Sequence, residues 1–156
     1  MGGERRVLED GAAALATLLQ QGWDVVGSTT EDAVTRYELT GPHQASLQIS
    51  HDQTLGVWHT PAIAADGSAG DFWPAGIHPR GLEQVLSSLE SVDPQDTDRL
   101  AIGLRHLAAV VPAEDNPRVL SVVTLALDDP RPAVHLPGVL ITLYWQRSSA
   151  CRPWNH

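Results

Sequence analysis

Three histidines, His43, His51 and His59, recur at intervals of eight residues, with His78 farther along the chain. Imidazole is the side chain best suited to hold a metal or carry a proton near neutral pH, so this spacing asks first for a metal site. The elements beneath it restrict the idea. His43 falls in one predicted turn and His51 in the next, at opposite ends of a six-residue strand. At about 3.3 Å per residue they stand roughly 20 Å apart and cannot share an ion. His43 and His59 are expected near the same end of the sheet, which leaves a two-ligand site with His78 as a third group. Exposed loop histidines are the simpler reading.

Nucleophilic chemistry finds little support. Gly67-Ser68-Ala69-Gly70 sets a serine among glycines without the spacing of a nucleophile elbow. Cys151 is the single cysteine and lies close to the C-terminal end, so no internal disulfide forms and a buried thiolate is hard to build there. Asp93, Asp96 and Asp98 precede a helix, where carboxylates cap free N–H groups, and Asp128-Asp129 follow another apolar segment. No phosphate-binding glycine loop, EF-hand loop or zinc pattern occurs.

The chain holds ten arginines and no lysine, which removes Schiff-base chemistry, the P-loop lysine and a buried amine base at once. Nineteen acidic residues give a formal charge of -9, and the arginines are scattered, with only Arg5-Arg6 adjacent. Duplex binding by counterion release would need roughly six to ten phosphate contacts on one surface. A basic protein partner suits the acidity better. Five tryptophans, Trp23, Trp58, Trp73, Trp145 and Trp154, stand out beside one Phe and two Tyr. Trp23 reads as core. Trp58 and Trp73 flank an exposed connection close to His59, His78 and Arg80, where aromatic rings serve protein contacts or base stacking.

Leu15, Leu18 and Leu19 among alanines predict a helix over 9–20, ended by Gly22 in a left-handed conformation and weakened at its start by Gly11. A β region opens at Trp23. Tyr37 and Leu39 alternate with polar residues, as do Ala45, Leu47 and Ile49, and a Gly41-Pro42-His43 loop would set Leu39 opposite Ala45 and Tyr37 opposite Leu47. The strand from Leu55 to Thr60 fits in two registers, one pairing Leu55 with Ile49 and the other placing Trp58 opposite Leu47. Residues 61–71 read as an exposed connection and 71–77 as a short edge strand interrupted by Pro74.

His78-Pro79 marks the start of a helix with Leu82, Val85, Leu86 and Leu89 on one stripe. A second helix runs from about Gln95 to Val111. Residues 117–128 are read as helix in preference to a buried strand, 130–137 as a proline-rich linker, 139–145 as a strand and 146–156 as a loose tail. The longest apolar runs fall short of the roughly 20 residues a membrane helix needs. With no signal peptide at the N-terminus, a soluble cytoplasmic protein is expected.

Gly22-Trp23, the polar turn in Leu39 to His43, Trp58, Trp73 and the proline-led helix from Pro79 through Leu89 together resemble an actinobacterial family catalogued as domain of unknown function 317. The likeness covers about half the chain, from Gly11 to Ser91, with Gly-Pro-His where that family usually has a Pro-Asp-Gly-like turn. It implies a compact sheet-and-helix module from genomes rich in plasmids and integrated elements, and no established activity.

The expected fold is α+β: an N-terminal helix, an antiparallel meander from about Trp23 to Ile77 and two helices on one face, making a domain over 1–112 with 113–156 packed on it as an extension. The expected function is a non-enzymatic interaction or regulatory protein, accessory to a plasmid or mobile element, that binds another macromolecule, a protein first, through Trp58, Trp73, Arg80, His59 and His78. Single-stranded nucleic-acid binding on the sheet, with Arg36, Arg80 and Arg105 meeting phosphates, is the second reading, and a metal enzyme on His43, His59 and His78 the third. No cofactor, catalytic residue or membrane partner is expected.

Overall fold

A computed structural model describes residues 5–61, 73, 77–112 and 114–150, with His43 and 146–150 described by their backbone alone. The fold is α+β, with five strands in one antiparallel sheet of order β1-β5-β4-β3-β2 and five helices. The chain divides into two compact units, Gly3–Arg80 and Gly81–His156.

The first unit begins with a strand the sequence did not announce, β1 (Arg5–Leu8), which pairs antiparallel with β5 (Val57–Pro61). Four residues with two arginines carry too little alternation to be read as a strand alone. Asp10 then caps helix α1 (Gly11–Gln20), its carboxylate accepting from the Ala13 N–H at 3.0 Å. The helix ends as predicted at Gly22, whose φ of +94° lets Trp23 N–H reach the Leu18 carbonyl and Gly22 N–H the Leu19 carbonyl. That paired closure brings the buried Trp23 and Leu18 into one core, each large apolar side chain contributing about 1.5–3 kcal/mol of burial.

The meander follows as β2 (Asp24–Glu31), β3 (Val34–Thr40), β4 (Ser46–Asp52) and β5. Its registers differ from those expected. A five-residue connection, Gly41 to Ala45, built round a 3-10 turn at Pro42–Gln44, sets Leu39 opposite Leu47 and Tyr37 opposite Ile49. Gly41 has no room for a side chain because Trp23 lies over it. The strand β4 continues through His51 to Asp52, whose carboxylate accepts from Leu55 N–H at 3.0 Å and closes the next turn. Trp58 therefore lies opposite His51, so neither register considered for this strand is formed. Both expected registers cut β4 short at its polar end, where the strand in fact uses Asp52 to build the turn.

Residues 61–71 and the expected strand over 71–77 fall largely outside the described residues. Trp73 and Ile77, which are described, pack against the core beneath α1 and belong to no strand. The sheet edge beside β5 is filled by β1, and Arg80 continues it by exchanging two backbone hydrogen bonds with Val7. The helix expected from His78-Pro79 starts later for that reason.

In the second unit α2 (Leu82–Ser91) packs on α3 (Thr97–Val110), and α3 and α4 (Pro117–Leu127) both pack on α5 (Pro132–Ala150). Asp96 and Asn116 cap α3 and α4, so the acidic cluster before α3 has the structural role anticipated for it. Residues 117–127 are helical, as preferred. The linker over 130–137 and the strand over 139–145 are not formed: a single 19-residue helix replaces both. Pro132 occupies its first position, and Pro137 sits inside it, buried. Gly138 takes the space where α5 crosses α4, since a Cβ there would stand 2.9 Å from that of Ala126. The helix also takes in 146–150 of the expected tail, and 151–156 lie outside the described residues.

Candidate functional site

The sheet has two faces, and alternation assigns the side chains between them. On the face covered by α1, Leu8, Leu39, Leu47 and Ile49 form the core with Ala14, Leu18 and Trp23. Trp58 stands at its margin, half-buried. His51 stacks on its ring at 4.4 Å with the planes 16° apart, and Tyr37 lies near-parallel at 6.0 Å. The first residue of α1, Gly11, rests directly on the indole, leaving no space for a methyl group. The glycine that weakens the helix start on paper is thus what lets the helix approach the sheet. A base could not stack on Trp58 without displacing His51 or α1, which removes the platform that nucleic-acid binding at this residue requires.

The opposite face carries a row of polar and charged groups. Register places Arg36 across from Ser50, Ser50 across from His59, His59 across from Val7, and Val7 across from Arg80. Ser50 and Asp52 are buried, and Arg80 lies 3.5 Å from Glu9. Burial lowers the His59 pKa from 6.5 to about 4, helped by the positive charges of Arg5 and Arg36 and opposed by Asp52. A neutral imidazole beside a serine and an aspartate has the composition of a hydrolytic triad. The geometry does not serve that role, because Asp52 holds the Leu55 turn and Ser50 is shut away from solvent.

The five residues expected at one contact face are therefore distributed. Trp58 and Trp73 both pack against the α1-covered core, His59 lies on the other face of the sheet, Arg80 joins the β1 edge, and His78 is exposed in the segment leading to α2. Among the described residues no three histidine, cysteine or acidic side chains stand together to hold a metal. His59 pairs with Ser50 near the end of β4 remote from the His43 turn, so the shared sheet end expected for His43 and His59 is not formed.

Sequence reasoning missed the features of the second unit. Arg118 at the start of α4 binds Glu90 through two nitrogens, at 3.1 and 2.8 Å, and Glu83 besides, tying α4 to α2. Arg131 makes a two-pronged contact with Asp129, lowering that carboxyl to a pKa of about 2, and reaches the Thr97 hydroxyl at 3.0 Å. On α4 and α5 large apolar side chains face water: Leu120 is 57% exposed, Leu125 74%, Leu136 59% and Leu143 48%. Leu136 and Leu143 lie seven residues apart on the outer side of α5, while Val134, Gly138 and Ile141 are buried on its inner side. Between Val134 and Trp145 the helix carries apolar residues on every side, with His135 and Thr142 as its polar side chains apart from the Tyr144 hydroxyl and Trp145 indole N–H. The continuous apolar run from Val139 to Trp145 is the signal in the sequence, and it suits a buried helix as well as a strand.

No helix among the described residues is long and apolar enough to cross a membrane. Compared with known proteins, the chain matches no family model, no curated protein and no solved structure.

Proposed function

We propose that this chain is a non-enzymatic interaction protein that binds another protein, with the contact centred on the outer side of α5. The observation that carries the reading is the apolar character of α5 on both sides. A helix covered on one side ordinarily shows polar residues on the other, and one that is apolar all round is buried all round in its working state. Leu136 and Leu143, with Leu120 on α4, supply the separated large anchors that a helical protein surface presents. An overall charge of -9 favours a partner of opposite charge and gives the rim of such a contact its polarity. Kinship with the domain of unknown function 317 family, and service to a plasmid or mobile element, belong to this proposal and assign it no residue.

The test is affinity capture from an actinobacterial lysate with the wild-type chain and with a Leu136→Glu/Leu143→Glu double variant, each checked for helix content. A protein retained by the wild type and lost by the folded variant supports the reading. Identical capture by both chains counts against it.

A further inference from the structure

We infer that the outer edge of β2 is a strand-addition site for an extended, basic segment of a protein partner. The inference rests on the protein-binding reading above and names a second contact with its chemistry. The two edges of the sheet are finished differently. At one, β1 is four residues long and Val7 exchanges both its backbone hydrogen bonds with Arg80, at 2.8 and 2.9 Å. At the other, β2 runs eight residues, is exposed everywhere but at Gly27, and has no strand on its outer side among the described residues. It contains neither proline nor lysine, the residues that commonly protect such an edge. Its protective features are its acidic ends, Asp24 and Glu31, and the bulge between Val25 and Gly27, which leaves Gly27–Glu31 as the regular part.

The backbone there offers a defined ladder. Asp32 and Ala33, with φ of 52° and 65°, form a two-residue turn, and such a turn makes Glu31 and Val34 the hydrogen-bonded pair. Antiparallel alternation then turns the N–H and C=O groups of Ser28 and Thr30 outward. The hydroxyls of Thr30 and Thr35 meet at 3.1 Å, as expected of a close, non-hydrogen-bonded pair.

Charge selects the occupant. Asp24, Glu31 and Asp32 border the edge, and the Glu38 carboxylate reaches within 3.7 Å of the place a Gly27 Cβ would take. The cation in this group is Arg36, opposite Thr29. A second copy of the chain is a poor match. Pairing two β2 strands about Ser28, with the bulge counted as one position, would set Asp24 against Glu31 at both ends, and pairing them about Thr29 would lay Glu31 over Gly27 beside Glu38. Directly opposed like charges destabilise a strand pair. A strand with Arg or Lys at alternate positions meets the same acids favourably and takes its main-chain bonds from Ser28 and Thr30.

The test uses the full chain, isotope-labelled, and a seven-residue blocked peptide, Thr-Arg-Val-Arg-Val-Arg-Thr, with its Glu-for-Arg counterpart. Binding of the basic peptide should slow amide exchange at Ser28 and Thr30 by about tenfold or more at saturation and weaken as salt is raised. A Thr30→Pro variant, which removes an outward donor without touching the β3 ladder, should lose about tenfold in affinity, and Glu31→Gln/Glu38→Gln should lose the preference for Arg over Glu. Absence of binding, equal binding of both peptides, or protection falling outside β2 overturns the inference. None of these results bears on capture through Leu136 and Leu143, so the two readings fail separately.

Discussion

At the scale of single residues, close packing outweighs propensity. Alanine in place of Gly11 would gain about 1 kcal/mol of helix propensity, yet its Cβ would collide with the Trp58 ring. Overpacking of this kind costs about 1–3 kcal/mol, so Gly11→Ala should lower the midpoint of urea unfolding and shift Trp fluorescence. Ala33 presents the reverse case, a side chain at φ 65° in a turn that suits Asp-Gly. Ala33→Gly should stabilise the chain by about 1 kcal/mol, read as a higher thermal midpoint. His59 sets a pH dependence. Its imidazole resists protonation in the fold, so between about 6.5 and about 4 the unfolded chain takes up a proton that the folded chain refuses. Stability should be full above pH 6.5 and fall by on the order of 2 kcal/mol between pH 7 and pH 5, and His59→Asn should flatten that slope in denaturant titrations. The loss of the Asp129–Arg131 contact belongs to a lower window, below the usual carboxylate pKa of 3.8 and through about 2. Gly22 was legible from sequence because a left-handed helix end is a local requirement, whereas the need for Gly11 arises from a ring more than forty residues away.

Among elements, those with a clear period were readable and those defined by their neighbours were not. The helix α1, the alternation of β3 and β4, and the leucine stripe of α2 all follow from local pattern. The strand β1 exists because β5 and Arg80 pair with it, and no property of Arg5–Leu8 alone foretells that. In α5, the prolines from Pro130 to Pro137 read as a linker and the apolar run after them as a strand, because a helix with apolar residues on every side has no helical period to detect. The crossing with α4 explains the glycine. Gly138→Leu would force a branched side chain against Ala126, and it should destabilise the second unit by about 3 kcal/mol or more, with loss of helical circular dichroism at lower temperature. By contrast, Leu136→Glu and Leu143→Glu replace exposed side chains and should leave the melting midpoint nearly unchanged.

For the whole molecule, composition limited the chemistry more firmly than it located the site. The α+β class was legible, because a helix, a meander and a run of helices are each written in pattern. The packing of Trp58 and Trp73 against their own core was not legible, because exposure is a property of the assembled fold. With no lysine, every side-chain positive charge apart from protonated histidine is a guanidinium. Four of the arginines fall in Gly3–Arg80 and six in Gly81–His156, each set outnumbered by acidic residues, so neither unit builds a strongly basic surface. Ionic strength should accordingly have little effect on non-specific DNA association, whereas it should weaken contact with a basic partner. The most direct test of the protein-binding account is hydroxyl-radical footprinting of the free chain and of the chain in complex with its captured partner. Leu120, Leu136 and Leu143 should oxidise readily in the free chain and become protected in the complex. Unchanged oxidation at these three leucines, with protection falling elsewhere, would contradict it.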